Sequence, residues 1–243
     1  MPPKAFLYPL PYELYEELRL RRYGFHGTSH AYVTREAAKL LGKPVDEVNL
    51  ITCHLGNGCS MAAVQNGRCV DTTMGITPLE GLMMGTRCGD IDPALVPFLM
   101  EKKGWSPAEM DTLMNKKSGL KGICGTNDMR DVHAARKKGD EKAQLAFEMF
   151  VYRVRKYIGA FAVVLGRVDG IVFTAGIGEN DEFVRAEVCR DMPLLGLELD
   201  ETVNTKRSGQ ARCISTQNSK VPVLIVPTNE ELAIAQATQS VLK

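Results

Sequence analysis

The sequence predicts a mixed α/β domain, one sheet flanked by helices, and three observations carry that expectation. Residues 49–54, 170–174 and 221–226 are short apolar runs of strand length, each followed by glycine, proline or polar residues. Asn66-Gly67 separates two further short runs, 60–65 and 68–72. An Asn-Gly pair there satisfies the two positive φ angles of a type I′ hairpin, and sets Gln65 opposite Arg68 and Val64 opposite Cys69. Residues 140–165 hold Ala143, Ala146, Phe147, Phe150, Val151, Val154, Tyr157, Ile158 and Phe161 at helical spacing. All five strands are expected in one sheet, with that helix packed on a face.

At 243 residues the chain can bury a sizeable core. A formal net charge of +1 with 24% charged residues gives no broad field to draw nucleic acid or an anionic membrane, so neither is expected as a partner. The seven cysteines are odd in number and form no C-x-x-C pair, which reads as free thiols in a reducing compartment. No run approaches the roughly 18 apolar residues of a membrane span, and the first residues carry no basic-then-apolar leader. A cytoplasmic protein is the expectation.

In chain order, residues 1–20 open with four prolines in the first eleven positions and then a short helical pattern. They read as an extended segment needing a surface to lie on, and are expected to be loosely held. In 21–30, Gly24 and Gly27 bracket Phe25-His26. Ser29 is placed as the cap of a helix over 30–41 that stops at Gly42. His26 and His30 are four apart, but Gly27 argues against a continuous helix and a metal pair. His26 reads as a loop imidazole aimed at a ligand, and His30 as a helix-start hydrogen-bonding group.

The strand at 49–54 ends in the turn Gly56-Asn57-Gly58, where missing Cβ atoms let backbone N–H groups close on a phosphate; an ordinary glycine turn is the alternative. Residues 74–93 are loop-rich. Arg87 within them either grips a phosphate with its planar fork or pairs with Asp90 or Asp92. Helices are expected over 93–102 and 106–116, the second with Ser106-Pro107 as cap and first-turn proline. Residues 118–127 read as a loop, with Thr126 or Asn127 capping a helix from Asp128.

The run 170–174 leads into Ala175-Gly176-Ile177-Gly178-Glu179-Asn180 and a helix capped by Asn180 or Asp181. Strand, glycine turn and helix start form an anion-binding arrangement. It lacks the third glycine of a dinucleotide fingerprint and the Gly-Lys-Ser/Thr of a P-loop. Residues 211–215 and 221–226 read as strands. Thr228 and Glu231 have the spacing of a capping box, which leaves Glu230 available for other work.

Six stretches together resemble the acetate kinase family: RRYGFHGTSH, HLGNGCS, DTTMGITPLEGLMMGTRCGDIDP, GTNDMRD, FTAGIGEN and PTNEELAIA. The resemblance covers the whole chain. It implies the actin-like, ribonuclease-H-like fold of the acetate and sugar kinase superfamily and reversible phosphoryl transfer between ATP and acetate. A related propionate or butyrate kinase, or a nucleotide-binding or dimerisation module without turnover, are the alternatives.

On matching positions the resemblance implies that His26 and Arg87 stabilise the transferring phosphoryl group. It places His54, Leu55, Gly56, Asn57 and Gly58 at the nucleotide phosphates. Asp128, Met129, Arg130, Gly176, Ile177, Gly178, Glu179 and Asn180 fall around the adenosine, and Glu230 at Mg²⁺ or Mn²⁺. ATP or ADP, acetate or acetyl phosphate, and a second copy in a homodimer are the implied partners. The chain reads as the C-terminal half of such an enzyme, with 1–48 a linking segment plus first helix and 49–243 the nucleotide-binding domain. The family's acyl-binding arginine, catalytic aspartate and metal-holding asparagine have no counterpart here.

Overall fold

The computed structural model describes residues 1–241. Six strands form one mixed sheet in the order β3-β2-β1-β4-β6-β5. They are β1 (Leu50–Leu55), β2 (Cys59–Gln65), β3 (Arg68–Thr72), β4 (Gly170–Thr174), β5 (Arg212–Cys213) and β6 (Val223–Ile225). The first three are an antiparallel meander, while β1, β4 and β6 run parallel. This is the ribonuclease-H-like sheet of the actin-like fold. All five expected strand runs lie in it. The hairpin has the expected register, Gln65 opposite Arg68 and Val64 opposite Cys69. Asn66 and Gly67 have φ of 50° and 72°, as a type I′ turn needs.

The twelve described α-helices are α1 (Pro3–Phe6), α2 (Tyr12–Leu18), α3 (Gly27–Leu40), α4 (Leu95–Lys103), α5 (Pro107–Lys116), α6 (Gly119–Cys124), α7 (Met129–Lys137), α8 (Glu141–Leu165), α9 (Ala175–Asn180), α10 (Glu182–Cys189), α11 (Glu201–Thr205) and α12 (Glu230–Val241). The two-residue period of the strands sorts their side chains between two layers. Ile51, Cys53, Leu55, Cys59, Met61, Ala63, Ile171 and Phe173 join the aromatic stripe of α8 in the main core. Leu50, Val64, Val172 and Leu224 point the other way, onto Val33, Ala37 and Ala38 of α3. Thr52, His54 and Ser60 alternate with the first set and face α3 with the second. That alternation assembles the polar cluster described below.

Several local expectations need correction. Helix α3 starts at Gly27 behind a left-handed His26 (φ 57°), and Ser29 is no cap. Its hydroxyl is instead 2.9 Å from His54 Nδ1. Residues expected as loop at 118–127 contain α6. Asp128 itself, not Thr126 or Asn127, caps α7 by accepting from Arg130 N at 2.9 Å. The glycine-rich 175–180 stretch coils into α9 directly after β4. At the last helix Asn229 Oδ1 accepts from Leu232 N, so the Thr228 capping box does not form, and Thr228 Oγ1 is buried with no hydrogen-bond partner among the described residues.

Residues 1–20 are also better anchored than expected. Leu7 bridges Arg21, the Arg21 guanidinium lies 3.7 Å from the centre of the Phe6 ring, and Tyr8 Oη donates to Glu80 at 2.5 Å. Among the described residues no helix is long and apolar enough to cross a membrane.

Candidate functional site

Because β1 and β4 are parallel neighbours, both glycine segments leave the sheet at the same edge. His54 pairs with Thr174 across the two strands, so the 56–58 turn and α9 start side by side. A Cβ built on Gly56 would lie 3.8 Å from Ala175 Cβ. Ligands in open α/β sheets gather outside such carboxyl ends. A cleft of about 570 Å³ opens there, lined by Gly56 and Asn57 on one side and Gly176, Ile177 and Asn180 on the other. Asp128, Met129 and Arg130 close it from the start of α7. Segments about 120 residues apart in sequence thus share one pocket, as the resemblance implies.

The walls are braced by hydrogen bonds. Gly56 N donates to Gly58 O at 3.2 Å, which closes the turn. Asn127 Nδ2 donates to Asn57 Oδ1 at 3.1 Å and ties the turn to the α7 entry. Arg130 Nη2 donates to Asp128 Oδ2 at 2.5 Å, and this grip holds the Asp128 carboxyl down at about pKa 2. Arg185 is a buried guanidinium that donates to Gly178 O at 3.1 Å and to both Asn204 oxygens. Glu179 turns inward and accepts from Ala175 N at 2.8 Å and Thr228 N at 3.1 Å. Its carboxylate therefore fastens α9 to the segment that leads into α12 and Glu230.

Beyond Gly58 the chemistry changes. A Cβ there would sit 3.2 Å from Arg87 Nη1 and 3.6 Å from His26 Cε1, so a guanidinium and an imidazole both lie against the glycine. Arg87 pairs with neither Asp90 nor Asp92. Asp90 is engaged by Tyr157 and Gly81, and Asp92 by Ala94, while Arg87 Nη1 donates only to Pro78 O at 3.2 Å and toward Met84 sulfur. Among the described residues its guanidinium has no carboxylate partner. Burial holds His26 below its ordinary range; the charge of Glu230 opposes this and that of Arg87 reinforces it.

Behind His26 lies a cluster that the sequence did not announce. Ser60 Oγ is 2.9 Å from His26 Nδ1 and 2.7 Å from His30 Nε2, and His30 Nδ1 is 2.7 Å from Thr52 Oγ1. Burial, with His26 nearby, brings His54 down to about 4. Burial, with His54 and His26 nearby, brings His30 down to about 3. All three imidazoles are therefore neutral at neutral pH. The one sequence signal for this was the four-residue spacing of His26 and His30.

Not every expected residue faces the cleft. Leu55 lies in the core and His54 beneath His26. Gly178 is buried against β4, where its absent Cβ would lie 3.4 Å from Phe173 C. Asp181 and Arg207, unassigned from the sequence, also line the cleft. Glu230 is exposed in the first turn of α12 and forms no ion pair among the described residues.

Comparisons with known proteins point one way. The family model described as the acetokinase family matches residues 1–236. An acetate kinase of Nitratidesulfovibrio vulgaris (strain DSM 19637 / Miyazaki F) is 77% identical over 242 residues, covering 100% of this chain and 60% of that protein. One from Lawsonia intracellularis is 60% identical, covering 98% of this chain and 59% of its own length. Among solved structures, Porphyromonas gingivalis acetate kinase superposes with a TM-score of 0.97 at 48% identity, over 100% of this chain and 61% of that one. A propionate kinase from Francisella tularensis subsp. tularensis SCHU S4 gives 0.91 at 44%, over 97% and 60%. The chain spans about 60% of the length of the curated relatives it matches.

Proposed function

The chain belongs to the acetokinase family, and on that premise we propose that it forms the nucleotide-binding side of an ATP:acetate phosphotransferase, which interconverts ATP and acetate with ADP and acetyl phosphate. The supporting observation is the meeting of the 56–58 turn, α9 and the α7 entry around one cleft, with His26 and Arg87 both against Gly58. Phosphoryl transfer needs positioning and charge neutralisation more than covalent help. In this reading the backbone N–H groups of Asn57 and Gly58 cradle the phosphates, while that of Gly56 closes the turn. Asp128, Met129, Arg130, Gly176, Ile177 and Asn180 surround the adenosine. Arg87 offers a bidentate fork and His26 a hydrogen bond to the phosphoryl oxygens.

Mg²⁺ is commonly held by one or two carboxylates together with substrate phosphates. Glu230, exposed and without an ion pair among the described residues, fits that pattern, and the ion would offset phosphate charge there. Residues 49–243 make up the nucleotide-binding domain and 1–48 the segment joining it to the acyl-binding part of the enzyme. The working form is a cytoplasmic homodimer. Acetate is taken as acceptor after the curated relatives; propionate is the second reading, after the solved propionate kinase.

The test is hydroxamate trapping of acetyl phosphate with purified chain, ATP, Mg²⁺ and acetate, alongside ADP titration. Weak nucleotide binding with negligible transfer is expected, because no residue here is assigned to the acyl group and positioning is worth roughly 7–11 kcal/mol when complete. Absence of any nucleotide binding would overturn the reading. Turnover near that of a full-length acyl kinase would overturn the division of labour.

A further inference from the structure

The three hydrogen bonds behind His26 form one line, Thr52 to His30 to Ser60 to His26, with every link between 2.7 and 2.9 Å. We infer that Ser60 and His30 are positioning residues that set the tautomer of His26, so that its Nε2, 3.7 Å from where a Cβ on Gly58 would lie, carries the proton. The line of bonds rests on geometry. That its product is a donor to a phosphoryl oxygen rests on the function proposed above.

Proton bookkeeping gives the direction. Ser60 and Thr52 are fully buried, and His30 is nearly so. A hydroxyl has one proton, so Ser60 donates to one ring and accepts from the other. His30, held neutral by burial, likewise has one N–H and one bare nitrogen. Only two orders then leave every link made. In the first, Thr52 Oγ1 donates to His30 Nδ1, His30 Nε2 donates to Ser60, and Ser60 donates to His26 Nδ1. The remaining proton of His26 is on Nε2. In the second, every arrow is reversed, and the Thr52 proton must go elsewhere.

The acceptor within reach of that proton is Ala62 O, 3.4 Å away and at the outer limit of a hydrogen bond. A buried donor so poorly made is costly. The first order, with its 2.7 Å Thr52 link, is therefore the resting one when His26 is neutral. Should His26 take up a proton, the line reverses in concert and keeps its three links. The Nε2 proton stays in place either way. His26 thus presents a donor toward Gly58 in both charge states.

The chain has only four histidines, which makes the tautomer directly readable. Long-range proton–nitrogen spectra of ¹⁵N-histidine-labelled chain near pH 8, assigned with substitutions at His54 and His133, should give His26 as the Nε2–H form. Ser60→Ala should lower the ratio of Nε2–H to Nδ1–H by about tenfold, the loss of one hydrogen bond of ordinary strength. Ser60→Thr should restore it. His30→Phe leaves the Ser60–His26 contact in place and should still lower the ratio, which a purely structural role for His30 would not produce. If Ser60→Ala does not fold, His30→Phe and the wild-type spectrum decide. A wild-type His26 in the Nδ1–H form, or a ratio unmoved by the substitutions that fold, would overturn the proposal. ADP titration of the same samples separates the two claims: no binding with a shifted tautomer sinks the function and spares the relay, and binding with an unshifted one does the reverse.

Discussion

The imidazoles of His26 and His54 lie face to face, ring centroids 4.0 Å apart and planes 12° apart. Two rings so placed cannot both take a charge cheaply, and burial of His54 adds to the cost.

Acid should therefore destabilise the chain through its histidines. His54 and His30 have folded pKa values of about 4 and about 3, below the ordinary 6.5. The unfolded chain takes up those protons first, so stability rises with pH across the window. Each contribution is complete above about pH 6.5 and is lost as pH falls toward 4 for His54 and 3 for His30. The slope approaches about 1.4 kcal/mol per pH unit per histidine. Urea midpoints from pH 7.5 to 5 should fall less steeply for His54→Gln than for wild type; parallel curves would refute the assignment.

Two glycines separate backbone strain from collision. Gly67 and Gly104 have nearly equal φ, 72° and 67°. A Cβ on Gly67 would meet Val45 O at 2.4 Å, whereas one on Gly104 would meet nothing within 4 Å. Gly104→Ala should cost about 1 kcal/mol. Gly67→Ala should cost at least 2 kcal/mol more, since the hairpin must shift off the 45–48 segment. Urea denaturation of the pair measures the difference.

Arg185 depends on Asn204 rather than on a carboxylate. Asn204→Leu strips the acceptor from Arg185 Nε and should cost about 2–3 kcal/mol. Because Arg185 also holds Gly178 O, nucleotide affinity should fall with it. Asn204→Asp keeps an acceptor and should retain most of both. Equal losses in the two variants would show that packing, not the acceptor, matters.

Gly58→Ala should dissociate stability from binding. Gly58 is not in the left-handed region, so the substitution should cost under about 1 kcal/mol. The new methyl would lie 3.2 Å from Arg87 Nη1 and 3.6 Å from His26 Cε1. Nucleotide affinity is expected to drop about tenfold, near 1.4 kcal/mol, by calorimetric titration. An unchanged affinity would move the phosphates away from this turn.

The sequence made legible what rests on short range or on strict period. Asn66-Gly67 dictated the hairpin and its register, and the α8 stripe named the core residues that cover the sheet. Caps were less legible, since Ser29, Thr126, Asn127 and Thr228 all have suitable side chains. The choice among neighbours fell to contacts distant in sequence, such as Ser29 with His54. The 175–180 stretch read as a turn because glycine disfavours helix. Its coil is held by Glu179 reaching back to Ala175 N, a bond that composition does not reveal. Strand alternation indicates which face Thr52 and Ser60 occupy, but not that His30 stands opposite both.

The parallel run of β1, β4 and β6 gives the sheet two rims of different character. Five residues of β4 separate Asp169 from Ala175, about 17 Å of extended chain. Everything the cleft uses lies past the far end of that span, while Gly166 and Arg167 sit before its beginning. A spectroscopic label or affinity peptide spliced in at Arg167 would ride on the molecule without entering its chemistry. The fold thus provides a handle for immobilising the chain with the cleft facing outward.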